Sequence, residues 1–109
     1  MKKCEMIKEH DEFTYIIKKG NRVGNKFLSL YYIDGRYNYP HFGIAVTKKM
    51  GDAVTRNLQK RRMRVILDEF KKDLRINRDY IIILKENAGK MNFEEMKQSF
   101  NSLVSRQEN

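Results

Sequence analysis

The feature that most constrains the fold of this chain is a helix-forming segment that is apolar on one side and basic on another. The helix is predicted over residues 52 to about 74, where Gly51 provides a turn and Asp52 a suitable N-cap. At about 100° per residue, an apolar stripe forms on one side, and it comprises Met63, Ile66, Leu67, Phe70 and Leu74. This stripe is expected to face the core.

The same region holds most of the excess positive charge. Residues 48–64, KKMGDAVTRNLQKRRMR, contain seven basic residues and one acid, a net +6 out of the formal +9 of the 109-residue chain. A second stripe of the helix, about a quarter turn from the first, consists of Asn57, Lys60, Arg61 and Arg64, with Arg56 at the helix entrance. A concentrated positive field favours a polyanionic partner, because phosphate neutralisation releases counterions.

A solvated charged face is the alternative, and it is the usual fate of a charge run. Solvated helices usually intersperse acids with bases, whereas this stripe is almost purely basic and has Asn57 within it. Nucleic acid is therefore the favoured partner. Val54, Leu58 and Val65 belong to neither stripe, and the sequence does not decide whether they are exposed or contact a partner.

Composition places the chain among folded single domains. It is 40% hydrophobic and 34% charged, with six Tyr and six Phe, and residues 1–109 are long enough for one core. No run approaches the roughly 20 apolar residues that span a bilayer, and the first residues lack the apolar segment of a signal peptide. The single cysteine, Cys4, excludes an intramolecular disulfide. A cytoplasmic protein without membrane association is expected.

The part before the basic helix is predicted to contain a helix and two strands. Residues 11–20 begin with acids and end with Lys18, Lys19 and Gly20, which suits a helix closed by a left-handed glycine. Residues 26–34 and 39–47 alternate as strands and are predicted to form a hairpin. The small residues Gly43, Ala45 and Thr47 would leave space near Tyr31 for a flat ligand, or else for a packed helix.

The part after the basic helix is predicted to add one strand and one helix. Residues 79–85, DYIIILK, indicate a strand buried on both faces. Asn92 and Glu95 resemble a capping box for a last helix, whose apolar stripe comprises Phe93, Met96, Phe100, Leu103 and Val104. The order is αβββαβα, or αββαβα if residues 21–25 do not pair.

No catalytic or metal motif is present. His10 and His41 have no nucleophile or metal-ligand pattern around them and are expected to be surface or loop histidines. Adjacent acids on the predicted helices diverge by about 100° and cannot converge as a pair. The turn at Gly51 lacks the pattern of a phosphate-binding P-loop.

Residues 51–64, GDAVTRNLQKRRMR, resemble the signature of the bacterial ribonuclease P protein family: a Gly-Asn-Ala-Val turn, Arg-Asn, two residues, Lys-Arg, two residues and Arg. Asp52 stands where Asn is usual. Further similarity covers nearly the whole chain, through DEF and KKG in the first helix, FLSLYY, GIAVTKKMG, DYIIILK and the last helix.

The resemblance implies an α+β fold, a two-layer α/β sandwich similar to part of a ribosomal protein. Its four-stranded, mostly antiparallel sheet would carry the basic helix in a left-handed β-α-β crossover, although general chirality rules favour right-handed ones. It also implies a noncatalytic subunit whose partners are a catalytic RNA and precursor tRNA. The RNA would remove the 5′ leader by hydrolysis, with Mg²⁺ bound mainly by the RNA and no metal or DNA bound by the protein.

The resemblance also assigns residues. Contacts to the catalytic RNA are expected from Lys48, Lys49, Arg56, Asn57, Lys60, Arg61, Arg62 and Arg64. Contacts to the single-stranded leader are expected from Phe13, Ile17 and Tyr31, where Ile17 replaces a frequent Phe. From spacing alone, core packing is favoured for Phe13. A ribosomal RNA-binding protein and a sequence-specific DNA binder remain the competing hypotheses, the latter disfavoured because no helix-turn pattern precedes the basic helix.

Overall fold

The part of the chain that the structure describes forms three α-helices and four β-strands in the order αβββαβα. A computed structural model describes residues 6–7, 9–35, 40–72 and 77–106. The elements are α1 (His10–Lys19), β1 (Asn21–Gly24), β2 (Leu28–Asp34), β3 (His41–Val46), α2 (Ala53–Phe70), β4 (Arg78–Leu84) and α3 (Phe93–Arg106). Two 3₁₀ helices, Lys48–Met50 and Glu86–Lys90, precede α2 and α3. The α+β fold is therefore confirmed, and residues 21–24 supply the additional strand.

The four strands form one mixed sheet in the order β1-β2-β4-β3. The β1–β2 and β2–β4 pairs are antiparallel, and the β3–β4 pair is parallel. Helix α2 joins β3 to β4, which gives the expected β-α-β crossover. The predicted hairpin between residues 26–34 and 39–47 is wrong, because β4 lies between β2 and β3. The apolar run of β4 requires a central position in the sheet, which separates the two strands.

The actual hairpin joins β1 to β2. Its turn is held by Asn25, whose Oδ1 accepts hydrogen bonds from the backbone N–H groups of Phe27 at 2.8 Å and Leu28 at 2.9 Å. An asparagine side chain that accepts bonds from residues further along stabilises a turn without glycine or proline. The turn predicted over residues 34–38 lies largely outside the described residues.

Helices cover both faces of the sheet. Helices α2 and α3 cover one face, where Leu28, Leu30, Met63, Ile66 and Phe100 are fully buried. On the opposite face Ile16 of α1 packs with Ile7 and Ile81 in a smaller apolar cluster. The alternation of β2 sends Leu30 to one face and Tyr31 to the other. The sheet and the layer of α2 and α3 form the two-layer sandwich, and α1 crosses part of the opposite face of the sheet.

Helix α1 ends differently from the prediction. Gly20 has φ −81° and ψ 169°, an extended conformation, so the predicted left-handed cap is wrong. A Cβ at Gly20 would lie 2.6 Å from the carbonyl oxygen of Ile16 and 2.7 Å from that of Tyr32. Glycine is therefore required because the backbone of β2 approaches the end of α1 closely, and not because this position needs a left-handed backbone conformation.

The predicted caps of the other two helices are confirmed. Thr55 N–H donates to Asp52 Oδ1 at 2.9 Å at the start of α2, and Gly51 before it has φ 139°. At α3, Asn92 and Glu95 exchange side-chain to backbone hydrogen bonds, each of 2.9 Å. Helix α2 ends at Phe70, before its predicted end near residue 74, which itself lies outside the described residues.

The Asp52 cap makes stability pH-dependent in one direction. Hydrogen bonds from the Thr55 backbone and side chain hold the pKa of the Asp52 carboxyl below its ordinary value of 3.8, and Arg56 adds to this. A carboxyl with a lowered folded-state pKa stabilises the protein above its unfolded-state pKa and loses that contribution as the pH falls through its folded-state pKa. Asp52→Asn should remove this titration.

We therefore expect the wild type to lose unfolding free energy relative to Asp52→Asn as the pH falls through and below 3.8. Urea denaturation of both proteins, followed by circular dichroism over a pH series, measures that difference. Stability curves that run parallel down to the acid limit would mean that the Asp52 cap contributes no proton linkage.

Candidate nucleic-acid interface

The predicted basic stripe forms one continuous surface on α2. A depression of about 270 Å³ is lined by Asn57, Lys60, Arg61 and Arg64. An adjoining depression of about 200 Å³ is lined by Val46, Ala53, Arg56, Asn57 and Lys60. Because Asn57 and Lys60 belong to both, the surface extends from the end of β3 along the first three turns of α2. We refer to Arg56, Asn57, Lys60, Arg61 and Arg64 as the basic face.

The helix itself sets the orientation of the basic face. Its core stripe buries Met63, Ile66 and Leu67 completely, so residues about a quarter turn away are turned toward solvent. Arg61 and Arg64 are exposed and Lys60 is half-buried. None of these three forms an ion pair with a carboxylate of the described residues. Their N–H donors are free to bind phosphate, for which the planar guanidinium is well suited.

The other predicted RNA-contacting residues flank this face. Lys48 and Lys49 are exposed in the 3₁₀ helix that precedes α2. Arg62 lies on a different side of α2, where its Nη1 donates to Gln59 Oε1 at 3.1 Å and to the Met91 carbonyl at 3.0 Å. That nitrogen is occupied within the protein, so Arg62 is less available than Arg61 or Arg64.

Gln59 is a structural residue that the sequence analysis missed. Its side chain is buried, and Nε2 donates to the carbonyl oxygens of Ala88 at 2.5 Å and Met91 at 3.0 Å. These bonds fix α2 to the segment between β4 and α3. A signal for this role was present, since Gln59 lies four residues before Met63 and thus on the core stripe.

The predicted leader-binding residues meet on the opposite face of the sheet. Phe13 and Ile17 of α1 and Tyr31 of β2 are half-buried and pack around Ile81 and its neighbours. The Phe13 ring lies directly on Gly43, where an added Cβ would approach Cε2 of Phe13 to 2.5 Å. We refer to Phe13, Ile17 and Tyr31 with the adjoining sheet surface as the cleft.

The floor of the cleft differs in one respect from the sequence prediction. Gly43 and Tyr31 are not adjacent, because both are registered with Ile81 of β4, which lies between them. The alternative of a packed helix is confirmed at Gly43, and the rest of the small-residue face is not covered in the same way. Helix α1 packs over Gly43 through Phe13, whereas Ala45 and Ile83 in the next row remain partly exposed.

A depression on the other side of α1 is unsuited to a polyanion. It has a volume of about 430 Å³ and is lined by the carboxyl-bearing residues Asp11, Glu12, Asp34 and Asp79, together with Tyr15, Ile16 and Ile33. Phosphate would be repelled by these carboxylates. The described residues contain no group of three or more His, Cys, Asp or Glu side chains arranged to hold a metal ion.

Burial overturns one sequence expectation, for His41, and answers one question that the sequence left open, for three apolar residues of α2. His41 is not a surface or loop residue: it is buried in β3, and its Nδ1 lies 3.4 Å from Oδ1 of Asp79 on the neighbouring strand. Val54, Leu58 and Val65 are exposed on the outer side of α2, at 76%, 39% and 48%.

No helix within the described ranges is both long enough and apolar enough to cross a membrane.

A basic helix on one face of an α+β sandwich and an aromatic cleft on the other match a known protein class. The Ribonuclease P family model matches residues 1–108. The ribonuclease P protein component of Bacillus mycoides (strain KBAB4) is 38% identical over 101 residues, which is 91% of this chain and 87% of that protein. The corresponding protein of Bacillus cereus (strain AH187) is 37% identical with the same coverage.

Solved structures agree with the sequence relatives. A Staphylococcus aureus RNase P protein mutant with defective mRNA degradation activity superimposes with a TM-score of 0.88 at 30% identity, covering 94% of this chain and 87% of that one. The Thermotoga maritima RNase P protein gives 0.85 at 24% identity, with 96% and 99% covered, and supports the fold. The chain belongs to the ribonuclease P protein family. It is thus a protein subunit of a ribonuclease that processes tRNA.

Proposed function

We propose that this chain binds the catalytic RNA of ribonuclease P through α2 and the single-stranded 5′ leader of precursor tRNA through the cleft. By holding both, it promotes the RNA-catalysed, Mg²⁺-dependent hydrolysis that removes the leader and leaves a 5′-phosphate on mature tRNA. The observation that carries the proposal is the placement of the basic face and the cleft on opposite sides of one small sheet, in a member of this family.

The basic face supports binding to a structured RNA. Its side chains point outward from a helix fixed on the core by Met63, Ile66 and Leu67, so their points of attachment are held in place before binding. A rigid backbone leaves only the side chains to be ordered on binding, which favours affinity. Arg61 and Arg64 can each neutralise phosphate with two N–H groups, and Asn57, about one turn before Arg61, can address a sugar or a base edge.

The cleft supports binding to a single strand of variable sequence. Phe13 and Tyr31 offer half-buried aromatic surfaces, on which any base can stack because every base has a π face. Ile17 cannot stack as an aromatic does, but it provides an apolar wall in the same cluster. Such contacts tolerate changes of base, as a leader that differs between precursors requires.

We assign the chemistry to the RNA partner. Neither the basic face nor the cleft contains a nucleophile with an adjacent base, so we propose no catalytic residue in the protein. Mg²⁺ prefers hard oxygen ligands, including phosphate, and we assign the ions mainly to the RNA. The protein then acts by positioning the leader relative to the RNA and by lowering the repulsion between two polyanions.

Reconstitution tests this function directly. The chain is combined with a ribonuclease P RNA and precursor tRNA at low Mg²⁺, and the cleavage rate is compared with that of the RNA alone. We expect strong stimulation, because the protein supplies positive charge where metal ions are scarce. No stimulation would refute the proposal. Tight binding to ribosomal RNA or to a specific DNA duplex without stimulation would favour one of the competing hypotheses.

The cleft makes a separate prediction. Phe13→Ala combined with Tyr31→Ala should weaken holoenzyme binding to precursor tRNA by about tenfold or more, since stacking on an aromatic side chain contributes roughly 1–3 kcal/mol per base. Binding to mature tRNA, which lacks the leader, should not change. Equilibrium binding of both RNAs to the reconstituted holoenzyme measures the two affinities.

Tyr15→Ala is the matched control for this prediction. Tyr15 is an aromatic residue of the same helix, but it is 57% exposed and faces the acidic depression. Its removal should leave both affinities unchanged. If mature tRNA lost as much affinity as precursor tRNA in the Phe13 and Tyr31 variant, the assignment of the cleft to the leader would be wrong.

A further inference from the structure

Arg22 is an exposed arginine whose side chain lies along the sheet beside the cleft. It belongs to the edge strand β1, where it is registered directly opposite Tyr31 of β2, so both side chains emerge on the same face. Its Cζ lies 6.0 Å from the centroid of the Tyr31 ring, a distance at which a cation is attracted to an aromatic face. Nη2 also donates to Oγ of the buried Ser29 at 3.0 Å.

The surroundings of Arg22 leave its charge available. No carboxylate among the described residues pairs with it, and its residue surface is exposed. Room for the guanidinium depends on Gly24, because a Cβ there would lie 2.9 Å from Nη2 of Arg22. A guanidinium has five N–H donors, and the bond to Ser29 uses one. The remaining donors are held next to Tyr31 without a partner within the described protein.

We propose that Arg22 is a phosphate-binding residue of the cleft, which contacts the backbone of the leader nucleotide that packs against Tyr31. This inference rests on the proposed function and extends it. The aromatic and aliphatic side chains of the cleft can take bases, but none of Phe13, Ile17 and Tyr31 carries a charge. Arg22 supplies the missing cation at the β1 edge, so the leader crosses the sheet from the Phe13 ring, which lies over Gly43 of β3, toward β1.

The immobilisation of Arg22 is part of the assignment. A free arginine loses much rotamer freedom when it binds phosphate, whereas Ser29 and Tyr31 restrain this one beforehand. Ser29→Ala keeps the charge but removes one restraint. It should lower leader affinity to a smaller extent than Arg22→Ala while leaving the salt dependence unchanged, since the number of cations is the same.

The test compares Arg22→Ala with Arg106→Ala in the reconstituted holoenzyme. Arg106 is an exposed arginine of α3, on the opposite face of the sheet from the cleft, and its Nη2 donates to the Gly24 carbonyl at 3.1 Å, so its replacement likewise removes one charge and one hydrogen bond to β1 but no group that faces the cleft. Arg22→Ala should reduce affinity for precursor tRNA by about tenfold. The slope of log affinity against log salt concentration should become smaller by an amount equal to about one released ion. Arg22→Lys should recover part of the affinity and all of the salt dependence. Mature tRNA should bind all variants equally.

The outcomes separate this inference from the function on which it rests. If the wild-type holoenzyme does not prefer precursor over mature tRNA, the proposed function fails and the role of Arg22 fails with it. If Phe13→Ala with Tyr31→Ala removes that preference but Arg22→Ala behaves as Arg106→Ala does, only the role of Arg22 is refuted. Circular dichroism melting of each variant confirms that affinity is compared between folded proteins.

Discussion

Replacing Arg61 and Arg64 together by alanine is expected to lower affinity for the catalytic RNA by roughly 10–100-fold near physiological salt. Both side chains are exposed on α2 and have no ion pair within the described protein, so their charge is free to displace counterions from the RNA. The dependence of log affinity on log salt concentration should fall by about two ions, one for each arginine. Filter binding or fluorescence anisotropy over a salt series measures both quantities.

The matched control removes two cations from α3. Lys97 pairs with Glu69 at 2.9 Å, and Arg106 binds the backbone of β1, so neither belongs to the basic face. Lys97→Ala with Arg106→Ala changes the net charge equally but should leave most of the affinity and the slope intact. Equal losses in the two double variants would show that RNA responds to net charge alone, and the basic face would then have no special role.

Gly20→Ala is expected to destabilise the fold more than any surface substitution considered above. The added Cβ would lie 2.6 Å and 2.7 Å from two backbone oxygens, those of Ile16 and Tyr32. Backbone atoms of a helix and a strand cannot move aside as a side chain can, so α1 must shift on the sheet. Overpacking of this kind costs about 2–3 kcal/mol. For a domain of this size the melting temperature should fall by roughly 10–20 °C.

Gly89→Ala provides the comparison. Its Cβ would lie 2.9 Å from Cγ of Met50, the flexible side chain of the preceding 3₁₀ helix, and 3.3 Å from the Met50 carbonyl. Methionine adapts to such changes with little strain, so the melting temperature should fall much less. Differential scanning calorimetry decides the point. Equal effects of the two substitutions would mean that α1 is not held against β2 as tightly as the structure indicates.

Much of the fold follows from local sequence rules. The spacing of Met63, Ile66 and Leu67 fixed which side of α2 is buried, and the same period oriented Arg61 and Arg64 away from the core. The caps at Asp52 and Asn92 were readable because an N-cap needs a particular side chain at a particular offset. The uninterrupted apolar run of β4 predicted a strand inside the sheet, and β4 has a neighbouring strand on each side.

The features that the sequence did not reveal depend on contacts between distant segments. Alternation predicted β2 and β3 as strands, but nothing in either one specifies that β4 will separate them. The requirement for glycine at position 20 comes from the Tyr32 backbone, and the burial of His41 comes from the strand to which it belongs. Gln59 and Arg22 look like ordinary polar residues until their partners at Met91 and Tyr31 are known.

The position of β3 has a consequence for the distance between the two RNA sites. Gly43 of this strand supports Phe13 in the cleft, and Val46, three residues later, lines the adjoining depression of the basic face. At about 3.3 Å per residue these positions are only about 10 Å apart along the strand. Under the proposed function, the length of β3 between these two positions sets the distance between the bound leader and the catalytic RNA. Inserting a single residue in this strand would change that spacing and turn every following side chain to the opposite face.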